Sequence, residues 1–307
     1  MSAPDSGSVR RPLPNRRAFL GLATGAAVAG VLGAHLTRRG IADVSPFLDP
    51  QAREEALGAP LPNVPAEAEV GVVEGRMRAS RMLLLGTPWQ TPLLIARAEA
   101  IGPTVMVLGG VHGDEPGAWM AADDIARWEP RAGTLLVVPR ANVLAVTAGQ
   151  RTLPALGDLN RLYPGTTSTL PMSRMAAAIV AVAREFNAGV LYDMHESWEF
   201  FVDRPRNGNA FLGQTVSSGV GPETDTLARS LAARVNPRIK NVRDRMIARS
   251  EFSRAMSKSV DSLGLGWFVP GLTPLLVEMG QSRQSVVQRR DLHLLVARQF
   301  LELRGML

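Results

Sequence analysis

The segment TVMVL at residues 104–108, followed by GGVHGDEP at residues 109–116, decides the fold class of this chain. The five-residue run is bounded by Pro103 and by two glycines, as a short buried strand would be. Residues 116–128, which follow directly, have helical spacing. Buried strands that alternate with helices in this way indicate an α/β fold.

The alternation continues along the rest of the chain. Strands are predicted at residues 70–73, 82–85, 93–96, 104–108, 134–138, 190–194 and 274–279. Helices are predicted at residues 116–128, 171–186, 222–234 and 284–304. We therefore predict a mixed, mostly parallel sheet flanked by helices, with ligands bound at the carboxyl ends of the strands.

The positive charge of the chain is concentrated at its N-terminus. The formal net charge is +6, and residues 1–40 hold six arginines against one acid, Asp5, so the remaining residues are nearly neutral. A nucleic-acid partner is therefore not expected. The chain has no cysteine, which excludes disulfides and leaves only His, Asp and Glu as strong metal ligands.

The N-terminal segment has the pattern of an export signal. Arg16 and Arg17 precede Phe19-Leu20 and an uncharged, glycine-interrupted apolar run, which resembles a twin-arginine signal. We predict a signal or anchor at residues 1–42, a linker or N-terminal arm at 43–68 and one further domain at 69–307. The protein is then exported to the periplasm or the outer face of the cytoplasmic membrane. Cleavage of the leader stays open, and an uncleaved leader would be its contact with the membrane.

Two of the four histidines stand at predicted strand ends. His112 follows the strand at 104–108, and His195 follows the strand at 190–194. His112 and Glu115 are three residues apart across a turn rich in glycine, and His195 completes a His₂Glu set, the ligand type of a catalytic zinc with an open position. The alternative for His112-x-x-Glu115 alone is a surface pair. His293 lies within a predicted helix and is interpreted as structural.

Four ordered motifs resemble those of the succinylglutamate desuccinylase/aspartoacylase family, part of the zinc-carboxypeptidase superfamily. They are GGVHGDE at 109–115, DLNR at 158–161, DMH at 193–195 and VEMG at 277–280. The match extends from about residue 70 to residue 285. The resemblance implies a zinc-carboxypeptidase-like fold, one Zn²⁺ per chain held by His112, Glu115 and His195, and hydrolysis of an amide bond. We therefore predict that the domain at 69–307 is a zinc-dependent hydrolase domain.

Further site residues come partly from their chemistry and partly from this resemblance. Glu278 is an isolated acid in an apolar strand, where burial raises its pKa toward that of a general base, and the resemblance assigns the catalytic glutamate to the same residue. By resemblance, Asn160 and Arg161 bind a carboxylate of the substrate, a task that suits a guanidinium. A structural ion pair is the alternative for both assignments.

Two arginines are candidates for the residue that stabilises the oxyanion. Arg151 resembles the family arginine that stabilises the oxyanion, and Arg140 is the alternative. Asp193 or Glu196 could orient the imidazole of His195, although a solvated acid at a strand end is an equal interpretation. The segment from Phe200 to Asn207, rich in Arg and Asn, is expected to line the substrate pocket.

The chain departs from the aspartoacylase pattern at its C-terminus. Only 29 residues follow Glu278, and they have the pattern of one helix, so the C-terminal β cap domain is expected to be absent. We expect a zinc-dependent deacylase or amidohydrolase that acts on a carboxylate-bearing N-acyl amino acid. The alternatives are a metallocarboxypeptidase or murein peptide amidase, and a non-catalytic envelope protein that binds a metal or ligand. The oligomeric state stays open.

Overall fold

The computed structural model describes residues 71–73, 76–166, 168–204, 211–221, 223–250 and 260–307. The predicted signal at residues 1–42 and the linker at 43–68 lie outside the described residues and stay predictions, as does the boundary of the hydrolase domain. Among the described helices, none is long and apolar enough to cross a membrane.

The described residues form eleven strands and five α-helices. The strands are β1 (Gly71–Val73), β2 (Arg76–Leu83), β3 (Thr91–Arg97), β4 (Ala100–Leu108), β5 (Ala132–Val138), β6 (Val190–Ser197), β7 (Glu199–Phe200), β8 (Phe211–Gly213), β9 (Thr215–Ser218), β10 (Ile247–Ser250) and β11 (Thr273–Gly280). The helices are α1 (Pro116–Ile125), α2 (Val143–Ala148), α3 (Pro171–Glu185), α4 (Thr224–Val235) and α5 (Val286–Leu303).

Nine of these strands form one mixed sheet in the order β1-β2-β3-β5-β4-β6-β11-β9-β10. The four central strands, β5, β4, β6 and β11, are parallel to one another. Antiparallel pairs flank them on both sides, where β3 joins β5 and β9 joins β11. The predicted fold class, a mixed α/β sheet with a parallel centre, is confirmed.

Helices cover both faces of the sheet. Tyr192 and Met194 of β6 pack in one apolar cluster with side chains of α1, α4 and α5. Leu191 lies on the opposite face, in a second cluster that includes Met175 and Ile179 of α3. Because the central strands are buried on both faces, they are continuous apolar runs in the sequence.

Several boundaries differ from the prediction for local reasons. β6 extends to Ser197, so His195 lies inside the strand and not after it, because β11 pairs alongside it as far as Gly280. β2 ends at Leu83 because Leu84 has a left-handed backbone (φ 53°) and begins a turn. The sequence did not predict β9 and β10, whose residues TVSS and IARS lack an apolar run.

The chain after β11 is helical, as predicted. Ser285 caps α5 through a reciprocal pair of hydrogen bonds with Gln288, an arrangement that satisfies two free N–H groups of the first turn. Residues 281–307, all of them described, contain α5 and no strand. This part of the chain therefore forms no β-rich cap domain.

Candidate active site

The candidate site lies at the carboxyl edge of the parallel centre of the sheet. His112 follows β4, while His195 and Glu278 lie near the ends of the neighbouring strands β6 and β11. All seven predicted site residues line one cavity of about 500 Å³, namely His112, Glu115, Arg151, Asn160, Arg161, His195 and Glu278. The structure therefore brings together residues that are up to 166 positions apart in the chain.

A tight turn presents the first two candidate ligands. Gly113 separates His112 from the residues before α1, and its backbone approaches the carbonyl of Ala145 so closely that a Cβ atom would overlap that oxygen. Pro116 then begins α1, a position where its missing N–H carries no penalty. The turn is therefore held between β4 and α1 with Glu115 directed back toward His112.

The three candidate metal ligands form a compact, buried group. His112 Nδ1 lies 2.7 Å from Glu115 Oε1, and His195 Nδ1 lies 2.9 Å from Glu115 Oε2. The two Nδ1 atoms are 3.1 Å apart. All three residues are at most 3% exposed, and their ligand atoms lie within 4.8 Å of one another. One ion could therefore contact all three residues at once.

A carboxylate lies behind each imidazole. His112 Nε2 is 3.1 Å from Asp158 Oδ1, and His195 Nε2 is 3.0 Å from Asp193 Oδ2. Such carboxylates set the tautomer of a metal-binding histidine and orient its ring, leaving the other nitrogen for the ion. Of the two acids that flank His195, Asp193 is thus the one that contacts its ring.

The charges of this group fit a cation. Burial by itself raises the pKa of Glu115, but His112 and His195 outweigh it and hold that pKa below its usual range. Burial lowers the pKa of His195, yet Asp193 and Glu115 outweigh it and raise that pKa well above its usual value. Three carboxylates around two imidazoles favour positive charge between them, as the donor set of a zinc site does.

Glu278 faces the same cavity from β11. It is the register partner of His195, so the two side chains leave the sheet on the same face. Burial, with a smaller contribution from Glu115, raises the pKa of Glu278 to about 7, although the positive charges of His195, His112 and Arg151 oppose this shift. Its Oε2 atom is buried and has no hydrogen-bond partner. A carboxyl group with such a pKa can both accept and donate a proton near neutral pH.

Two arginines and an asparagine complete the predicted set. Arg151 is half-exposed, and its guanidinium lies 3.3 Å from Asp158 Oδ2 and 3.6 Å from Glu115 Oε1. Arg161 donates to the carbonyl of Asn160 at 2.6 Å. The Oδ1 atom of Asn160 accepts from the N–H of Ser262 at 2.9 Å, which ties the 158–161 segment to the chain just before β11.

Arg140, the competitor of Arg151, has a different environment. It is buried, its Nη2 lies 2.6 Å from Asp123 Oδ2, and its guanidinium lies 4.7 Å from the ring centre of Trp119. It does not line the 500 Å³ cavity, whereas Arg151 does. His293 is also outside this cavity, buried within α5, and burial lowers its pKa to about 3.

Other cavity residues were missed or only partly predicted from the sequence. Arg204 belongs to the segment expected to line the pocket and does line it, while Arg206 and Asn207 lie outside the described residues. Trp198, Ser217 and Arg249 also line the cavity. Ser217 and Arg249 lie on β9 and β10, which no apolar pattern revealed. The position of Trp198, three residues after His195, was the one available signal.

The mixed α/β sheet with a parallel centre has the zinc-carboxypeptidase-like fold predicted from the sequence. Residues 101–201 match the family model of the succinylglutamate desuccinylase/aspartoacylase catalytic domain. The match covers about a third of the chain and includes three of the four motifs, so the predicted resemblance to this family is confirmed over these residues. The matched residues include His112, Glu115 and His195, while Glu278 lies beyond them.

A curated relative is similar over a short part of the chain. It is an N-alpha-acetyl-L-2,4-diaminobutyric acid deacetylase from Halomonas elongata, 43% identical over 76 residues. The match covers 24% of this chain and 22% of the relative. The chain thus matches about a fifth of the length of that protein.

Solved structures share the fold at low identity. Tripeptide-bound cell shape determinant Csd4 from Helicobacter pylori has a TM-score of 0.59 at 16% identity, covering 70% of this chain and 55% of Csd4. An aspartoacylase family protein from Mesorhizobium loti has a TM-score of 0.56 at 17% identity, covering 78% and 71%. Product-bound ectoine utilization protein EutE (DoeB) from Ruegeria pomeroyi has a TM-score of 0.53 at 18% identity, covering 79% and 72%.

Proposed function

We propose that this protein is a zinc-dependent deacylase or amidohydrolase that cleaves an amide bond of a carboxylate-bearing substrate. The observation that carries the proposal is the placement of Glu278 in the same cavity as the buried group His112, Glu115 and His195. The names of the matching family and relative, a desuccinylase/aspartoacylase and a deacetylase, support the same reaction class.

The proposed mechanism divides the work among the cavity residues. A zinc ion held by His112, Glu115 and His195 would polarise the scissile carbonyl and lower the pKa of water. Glu278 takes a proton from the attacking water at its unpartnered Oε2 and delivers it to the nitrogen of the leaving amine. Arg151 stabilises the negative charge that develops on the carbonyl oxygen.

In this mechanism the 158–161 segment orients the substrate. The side chain of Arg161 lines the cavity from a short 3₁₀ turn, capped by the carboxylate of Asp158, which accepts from the N–H of Asn160 at 3.0 Å. A guanidinium can hold a substrate carboxylate with two parallel hydrogen bonds and so align the amide. Asn160 lines the cavity beside Arg161, and its amide group would bind the same substrate carboxylate.

The first test is the metal content of the protein, wild type beside His112→Ala. We expect about one zinc per chain in the wild type and its loss in the variant, because one of three ligands is removed. Glu129→Ala is the control, because it removes a carboxylate that is half-exposed and paired with Arg76 away from the site, and it is expected to keep its zinc. A wild type that binds no zinc even when zinc is supplied would contradict the hydrolase proposal and favour a non-catalytic binding protein.

A second candidate, a peptidase or murein peptide amidase, is favoured by the shape of the cavity. Trp198 lines both the 500 Å³ cavity and a neighbouring cavity of about 410 Å³, and residues 281–307, which come after β11, contain no strand. A substrate longer than an N-acyl amino acid could occupy both. Csd4, which is described as a D,L-carboxypeptidase and binds mDAP and a tripeptide, supports this alternative through its shared fold.

We also propose that the protein acts outside the cytoplasm, from the twin-arginine pattern at Arg16 and Arg17. Fractionation of cells that express the full chain tests this proposal. Replacement of both arginines by lysine is expected to retain the protein in the cytoplasm. An unchanged distribution would argue against export by the twin-arginine route.

A further inference from the structure

A buried polar network lies beside the candidate metal ligands and contains none of them. Glu196 follows His195 in β6, and its Oε2 atom lies 3.0 Å from Nε of Arg289 on α5. Both side chains are at most 3% exposed. Arg289 also donates from Nη1 to the carbonyl of Gln284 at 2.5 Å, which ties α5 to the loop after β11.

Gln281 connects this ion pair to the turn that carries His112 and Glu115. Its Nε2 atom donates to the carbonyl of Asp114 at 2.8 Å and to Oε2 of Glu196 at 3.1 Å. Asp114 lies between His112 and Glu115, and Glu196 is bonded directly to His195. One amide group therefore links the segment with two ligands to the strand with the third.

The backbone of Gln281 strengthens this link. Its N–H donates to the carbonyl of Ser197 at 2.7 Å, which continues the pairing of β6 and β11 beyond their last residues. The side chain is thus held from a position that is itself anchored to β6. A donor fixed in this way can position the turn, because its own freedom is small.

The start of α1 packs directly on the same ion pair. A Cβ atom on Gly117 would overlap Oε1 of Glu196 and lie 2.8 Å from Cβ of Arg289. Glycine at this position lets α1, and with it Glu115 at its N-terminal end, approach Glu196 and Arg289 closely. The N-terminal end of α1 therefore packs directly against the Glu196–Arg289 ion pair.

We infer that Gln281 is a positioning residue whose amide holds the His112–Glu115 turn in register with His195 and thereby sets the affinity of the site for zinc. The inference rests on the proposed function, because it takes these three residues as the ligands. Partners that orient metal ligands typically change metal affinity about 10- to 100-fold when they are removed.

Gln281→Met tests the inference, because methionine has a similar length and removes both hydrogen bonds. We measure the zinc dissociation constant by competition with a chelator, and the thermal midpoint of the zinc-free protein. The expected result is a dissociation constant raised about tenfold or more, with the midpoint of the zinc-free protein changed no more than in the control. Gln281→Ala is a second variant with the same expected loss of affinity.

Gln90→Met is the matched control. The amide of Gln90 accepts one backbone hydrogen bond, from the N–H of Gly86 at 2.9 Å, and it does not line the candidate site. Zinc affinity of both Gln281 variants within threefold of the wild type would overturn the inference. So would a loss of affinity in the Gln90→Met control as large as in Gln281→Met. A wild type that binds no zinc would instead overturn the proposed function.

Discussion

The role proposed for Glu278 depends on the surroundings of its side chain. It is 7% exposed in a strand of otherwise apolar residues, and burial raises the pKa of its carboxyl group to about 7. The unpartnered Oε2 atom has no donor that would hold the carboxylate ionised. A buried polar atom without a partner is costly, and the proton transfer proposed for Glu278 gives a reason for this one.

Glu278→Gln is expected to abolish most turnover while zinc remains bound. The amide has nearly the shape of the carboxyl group but cannot accept the proton of water, a contribution of about 10²- to 10⁴-fold to the rate. Steady-state kinetics on a hydrolysed amide and metal analysis of the same sample test this prediction. Activity within threefold of the wild type would show that another group is the base.

The helix and strands around the site are held in place by contacts between residues that do not line the cavity. Arg140, two residues after β5, pairs with Asp123 and lies over Trp119, and both of these residues belong to α1. Thr91 at the start of β3 donates to the carbonyl of Arg140 at 2.8 Å. Arg140 therefore anchors α1, the helix that follows Glu115, which explains a buried arginine near the site without an oxyanion role.

Arg140→Met is accordingly expected to lower the free energy of unfolding. Removal of one partner of a buried ion pair typically costs about 3–5 kcal/mol, and burial raises the pKa of the remaining Asp123 carboxyl group. Denaturant unfolding measures this loss. In the protein that stays folded, kcat should fall less than in Arg151→Ala; the reverse order would assign the oxyanion role to Arg140.

At the scale of the whole molecule, the two neighbouring cavities bear on the choice between the two enzymatic candidates. The 410 Å³ cavity beside the candidate site is lined by Glu199, the segment from Gln281 to Val286, Arg289 and Trp198. Trp198 is 55% exposed at the boundary of the two cavities. An aromatic face in this position can pack against a substrate that extends from one cavity into the other.

Trp198→Ala is expected to lower kcat/KM for long substrates more than for short ones. If the enzyme acts on peptides, kcat/KM for a tripeptide falls roughly two- to tenfold, the effect of one lost aromatic contact. The value for an N-acetyl amino acid should change little. Trp267→Ala is the control, because Trp267 is similarly exposed and does not line either cavity. Equal effects of both variants on both substrates would contradict a role for Trp198 in substrate length.

The sequence by itself determined the strand-and-helix alternation and the candidate ligands His112, Glu115 and His195. Apolar runs and glycine turns are local signals, because burial on both faces of a strand and a tight turn each restrict residue type within a few positions. The polar edge strands β9 and β10 carried no such signal, and their pairing with β11 depends on the rest of the sheet.

Only the tertiary structure decided which polar residues meet at the site. Strand order places β6 between β4 and β11, and this order brings Glu278 beside His195. Folding of the separate 158–161 segment brings Asp158 to the ring of His112, and the loop after β11 brings Gln281 to the carbonyl of Asp114. The tertiary structure also places Arg140 against Asp123 of α1, whereas Arg151 lines the cavity. These contacts join residues far apart in the chain, so their partners follow from packing and not from local spacing.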